Sequence, residues 1–87
     1  MARAYYLVEG EENLARARDI IVEDGFVSGH GRFRNETRGV SAYVKPIKLI
    51  EDTWRLEFIG RYKPAIDDLV KQLGGKILAL SQERTHG

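Results

Sequence analysis

The string Gly29-His30-Gly31-Arg32 sets an imidazole between two glycines, with a guanidinium two residues further on. Glycines on both sides let a backbone or a ligand approach closely, and Arg32 would hold an anion beside the ring. The plainer account is a bent or bulged strand entering a hairpin, its glycines lying under a helix that needs room. Ser28 and His30 share a face of such a strand and invite a nucleophile-and-base reading. Side chains at i and i+2 stand about 6 to 7 Å apart, too far for direct proton transfer, and no acid is placed to orient the ring. Asp67-Asp68 would point about 100° apart on a helix, where they favour the positive end of its dipole rather than a shared cation. Only two histidines exist and no cysteine, so disulfides and thiolate metal sites are excluded and a histidine metal site is not expected. We therefore expect no catalytic residue, no metal and no cofactor.

What remains is charge. Residues 1–28 hold three Lys/Arg against six Asp/Glu, residues 29–63 hold eight against four, and residues 64–87 hold three of each. A net charge of +1 thus conceals an acidic first third and a basic middle. The basic stretch coincides with the strand signals, so one sheet surface is expected to carry most of the positive charge.

Those strands set which side chains share that surface. Ala4 to Glu9 is a short aromatic and β-branched run closed by Gly10, and it puts Tyr5 and Tyr6 on opposite faces. Glu11 to Asp24 follows the helical period, with Leu14, Ala17 and Ile21 on one face and Gly25 as a left-handed cap. Phe26 to Arg34 reads as one strand, Asn35 to Gly39 as a hairpin loop and Val40 to Lys45 as the returning strand. Pro46 marks an edge or a bulge, and Trp54 to Arg61 forms the next strand. Pro64 opens a second helix through Ile66, Leu69, Val70 and Leu73, and Gly74-Gly75 is expected to end it. Lys76 to Ser81 then reads as a last strand, with residues 82–87 a polar tail.

Two helices with one apolar stripe each predict an α+β two-layer sandwich, a mostly antiparallel sheet of about five strands with both helices on one face. The order β-α-β-β-β-α-β resembles, loosely, the ferredoxin-like plan with an extra strand, a plan shared by many small regulatory and RNA-binding domains. The likeness lies in element order and supplies no function.

If Val27, Phe33, Val40, Ala42, Val44, Trp54, Leu56 and Phe58 face the helices, parity puts a second set on the open face. That set is Ser28, His30, Arg32, Arg34, Ser41, Tyr43, Lys45, Arg55, Glu57, Ile59 and Arg61. Guanidinium and ammonium groups neutralise phosphates and flat rings stack on bases, so this face is suited to RNA or single-stranded DNA. The expected contacts are His30, Arg32, Arg34, Tyr43, Lys45, Arg55 and Arg61. Against this, charged side chains on an exposed strand face also serve simply to discourage aggregation, and the closely spaced rings of the RNA-recognition signature are missing around Gly31-Arg32-Phe33-Arg34. The alternative role is a protein-interaction or self-assembling module, a homo-oligomer included, with a small ligand at the junction. At 87 residues the chain is expected to be one non-catalytic domain. Acidic Glu9 interrupts the N-terminus before a signal-peptide core forms, and no run nears ~18 apolar residues, so a cytoplasmic protein with no membrane partner is expected.

Overall fold

The computed structural model describes the backbone of residues 1–86 and the side chains of residues 1–77. The elements run β1 (Ala2–Glu9), α1 (Glu11–Asp24), β2 (Val27–Gly29), β3 (Arg32–Asn35), β4 (Val40–Pro46), β5 (Thr53–Gly60) and α2 (Lys63–His86). The five strands form one sheet in the order β1-β5-β4-β3-β2, antiparallel at every pairing. Both helices cover the same face, which makes this an α+β two-layer sandwich as expected. Among the described residues, no helix is long and apolar enough to cross a membrane.

The first helix follows its sequence signals residue for residue. Leu14, Ala17, Ile20 and Ile21 form its buried stripe. At its end Gly25 takes φ 117° and its N–H donates to the Val22 carbonyl at 3.1 Å, while Phe26 N–H donates to Ile21 at 3.0 Å. This reciprocal pair satisfies two carbonyls that the helix leaves open, at a φ that favours glycine. The chain then delivers Phe26 into the core, edge-on to Phe58 with ring centroids 6.2 Å apart. Val40, Ala42, Leu56, Phe58, Ile66, Leu69 and Leu73 complete the centre, all but excluded from solvent. Large aliphatic and aromatic side chains buried this fully contribute roughly 1.5–3 kcal/mol each.

Two elements depart from the sequence reading. The run Phe26 to Arg34 is not one strand but a hairpin, β2 turning into β3 at His30 and Gly31, whose φ angles are 53° and 77°. Positive φ at both central residues is the two-residue turn that matches strand twist, and it is what Gly31 is for. Neither Gly29 nor Gly31 lies under a helix: a Cβ at either would meet nothing within 4 Å. The turn also exchanges parity before it. Val27 pairs with Arg34 and Ser28 with Phe33, so Val27 joins the open face, 71% exposed, and Ser28 the helix side. Ser28 and His30 therefore do not share a strand face.

The second departure is the last strand. Residues 76–81 belong to α2, which continues through Gly74-Gly75 to His86. Two mid-helix glycines cost roughly 1 kcal/mol each, but Ile77 extends the buried stripe of Ile66, Leu69 and Leu73 at helical spacing and packs on the sheet, which outweighs them. Residues 82–86, expected as a tail, are the last turns of this helix, and Gly87 lies outside the described residues. The five-strand count survives because the β2–β3 hairpin supplies the strand that α2 removes. The ferredoxin-like likeness thus holds loosely, for the layers and not for the strand order.

Candidate anion-binding face

Directly opposed residues on antiparallel strands share a face, so the pairings give the open surface row by row. One row runs Arg3, Ile59, Ser41, Arg34, Val27, and the next Tyr5, Glu57, Tyr43. A third runs Leu7, Arg55, Lys45.

At the centre sits Glu57, its side chain 7% exposed between the two tyrosines. Three cations converge on it: Arg3 Nε lies 3.8 Å from Oε1, and Lys45 Nζ and Arg55 Nη2 each lie 3.7 Å from Oε2. The Arg55 guanidinium also lies 4.8 Å from the centre of the Tyr5 ring, and Lys45 Nζ 5.6 Å from that of Tyr43. These cations thus hold the aromatic pair in place while one carboxylate offsets part of their charge. Arg55 Nε is buried and has no hydrogen-bond partner among the described residues.

Toward the other end of the same face the balance differs. Arg32, Arg34, Arg38 and Arg61 line a cleft of about 560 Å³, together with Ser41, Tyr43, Ile59 and Tyr62, and among the described residues no carboxylate lines it. Arg34 Nη1 donates to Ser41 Oγ at 2.9 Å, which fixes its guanidinium against β4, and its Nε donates weakly to exposed Glu36 at 3.4 Å. Neither Arg32 nor Arg61 has an ion-pair partner among the described residues. A side of the cleft is closed where Gly60 passes Gly39: a Cβ at Gly60 would stand 2.9 Å from the Gly39 carbonyl oxygen, so β5 approaches the β3–β4 loop as closely as only glycine allows.

Arg38, to which the sequence assigned no role, anchors that loop. Its Nε and Nη2 donate to the two Asp24 carboxylate oxygens at 2.5 and 2.8 Å, Nη2 lies 3.2 Å from Asp68 Oδ2, and Nη1 donates to the Ala65 carbonyl at 3.4 Å. The Asp24 hydrogen bond pushes the guanidinium above its ordinary pKa, against the opposing effect of burial. Buried Asn35 completes the knot, with Nδ2 donating to Asp24 O and Oδ2 at 3.2 and 3.1 Å and Oδ1 accepting the Arg38 N–H at 3.0 Å. The end of α1, the loop before β4 and the start of α2 are thereby tied at one point.

The seven residues marked out by the sequence fall into three groups. Arg32, Arg34, Tyr43 and Arg61 meet in the cleft. Lys45 and Arg55 are engaged by Glu57, away from it. His30 sits at the hairpin turn and lines a separate shallow groove, with Arg32 and Arg34 standing between the two. Tyr62, Arg38 and Arg3 were missed: the first two lie in connections whose course no periodicity gives, while Arg3 shares the parity of Tyr5. Among the described residues, no three His, Asp or Glu side chains gather as a metal site. Chemically, the arrangement offers guanidinium donors for phosphate or carboxylate oxygens beside ring faces. No family model, no curated protein and no solved structure matches this chain.

Proposed function

We propose that this chain is a small non-catalytic binding domain whose open sheet face holds RNA or single-stranded DNA. One observation carries the reading: a cleft lined, among the described residues, by four arginines and two tyrosines and by no carboxylate. Arg32 and Arg61, with no ion-pair partner among the described residues, supply charge, and Arg34, oriented by Ser41, supplies a fixed donor fork. Tyr43 and the exposed Tyr62 offer ring faces on which unpaired bases stack, worth roughly 1–3 kcal/mol per base. The tyrosines and cations around Glu57 extend the same surface, giving a strand a course along the sheet from a strongly cationic end to a more neutral aromatic centre.

Phosphates take the cleft arginines and bases take the rings, so affinity should depend steeply on salt and little on sequence. We place the protein in the cytoplasm with such a partner, in keeping with its lack of cysteine. Titration of labelled single strands against the wild type and an Arg32→Ala/Arg34→Ala variant tests this reading.

A further inference from the structure

β1 is an outer strand of the sheet: β5 pairs with one side of it along all eight residues, and no strand of the described chain lies on the other. A row of unpaired amides and carbonyls is a template for another strand unless proline, a bulge, lysine or shortness blunts it. The opposite edge, β2, is blunted by being three residues long. β1 is protected less: the Glu9 carbonyl accepts from Asn13 Nδ2 at 2.9 Å, and Arg3 and Glu9 are the strand's two charges. It contains neither proline nor lysine, its register with β5 is unbroken from Ala2 to Glu9, and it exposes Tyr5 and Leu7 on the open face, 48% and 58% accessible.

The strand is also complementary to itself. Antiparallel pairing of two copies about a two-fold axis perpendicular to the sheet keeps both helix layers on one side, so odd positions must oppose odd and even oppose even. With the axis through Tyr6, Arg3 stands opposite Glu9, Tyr5 opposite Leu7 and Ala4 opposite Val8. Each neighbouring register that obeys parity loses this match, one placing Arg3 opposite Leu7 and the other placing Tyr5 opposite Glu9. Arg3, 56% exposed, lies 3.8 Å from Glu57, which Lys45 and Arg55 also hold, and Glu9 has no ion pair among the described residues, so Arg3 can turn to a partner's Glu9 while Glu57 keeps two cations.

We propose that the β1 edge is a self-pairing site that joins two copies of this chain into a ten-stranded sheet, with an Arg3–Glu9 ion pair at each end of the seam. The proposal goes beyond the nucleic-acid reading and does not depend on it. The dimer presents both arginine clefts on the same side of one continuous sheet.

Sedimentation equilibrium from micromolar to millimolar protein tests it, with far-UV circular dichroism to confirm that each variant is folded. The wild type should show a concentration-dependent monomer–dimer equilibrium. Glu9→Arg, an exposed change, should raise the dimer dissociation constant about tenfold, since two cross-strand pairs turn from attraction to repulsion. Arg3→Glu should do the same. An equimolar mixture of the two single variants should dimerise as tightly as the wild type, because each seam pair is then Arg against Glu again. A wild type that stays monomeric throughout, or a dimer that Glu9→Arg does not weaken, would overturn the proposal.

Discussion

Asp24, the last residue of α1, and Arg38, in the loop before β4, meet through two hydrogen bonds of 2.5 and 2.8 Å with their side chains 15% and 21% exposed. Charge-assisted bonds at this depth contribute roughly 1.5–3 kcal/mol, and losing one partner leaves the other poorly solvated. Asp24→Ala should therefore lower the unfolding free energy by about 2 kcal/mol or more, since Asn35 loses a partner as well. Glu36→Ala, which removes an exposed ion pair, should change it by less than about 0.5 kcal/mol. Urea melts of the two variants give the comparison, and equal effects would dissolve the claim that Asp24 anchors the cleft wall.

Gly75→Ala and Gly60→Ala should move stability in opposite directions. Gly75 is helical within α2 and a Cβ there meets nothing within 4 Å, so alanine should add about 0.5–1 kcal/mol. At Gly60 the new methyl would press on the Gly39 carbonyl, and the substitution should destabilise and distort the cleft. A loss of stability in Gly75→Ala would contradict a helix running through the glycine pair.

Tyr6 is partly buried on the helix side, and burial raises its phenol pKa above the ordinary value near 10. The folded state then keeps a proton that the unfolded chain gives up. This contribution to stability is whole below about pH 10 and is lost as pH rises through the raised folded value. Melting temperatures of wild type and Tyr6→Phe between neutral and strongly alkaline pH should diverge only above about pH 10, with the wild type falling faster. Parallel curves would show that the phenol does not contribute.

Glu57→Gln should release Arg3, Lys45 and Arg55 from their shared carboxylate. Single-strand affinity at low salt should rise and the salt slope steepen by about one, as freed cations reach phosphates. Stability should fall, because three neighbouring positive charges lose the group between them. Weaker nucleic-acid binding in a folded Glu57→Gln protein would mean that the carboxylate serves the ligand directly.

Much of this arrangement was legible in the sequence, and the illegible parts share a physical cause. Leu14, Ala17 and Ile21 declare α1 by spacing alone, and the alternation of Val40 to Lys45 and Trp54 to Arg61 put Tyr43, Lys45, Arg55 and Glu57 on the correct face. Arg32 and Arg34 also kept their face, because the turn at His30-Gly31 precedes them. Val27 and Ser28 exchanged faces because a two-residue turn resets parity and His30-Gly31 resembles a strand bend as much as a turn. Gly74-Gly75 looked like a helix end because intrinsic propensity says so; the anchorage of Ile77 on the sheet is a tertiary fact that local sequence does not contain. The clustering of Lys45 and Arg55 on Glu57, and the separation of both from Arg32, depend on which strands are neighbours. That follows from sheet order rather than from any one strand.

The central claim is that the arginine cleft binds the phosphates of a single strand. Anisotropy of fluorescently labelled single-stranded RNA and DNA, titrated at low and moderate salt with wild type and Arg32→Ala/Arg34→Ala, tests it most directly. We expect saturable binding with a steep salt slope, weakened about tenfold or more in the double variant, whose slope flattens by about one to one and a half. Absence of binding at low salt, or equal affinity of the double variant, would contradict the account and leave the basic face an ordinary solvated surface.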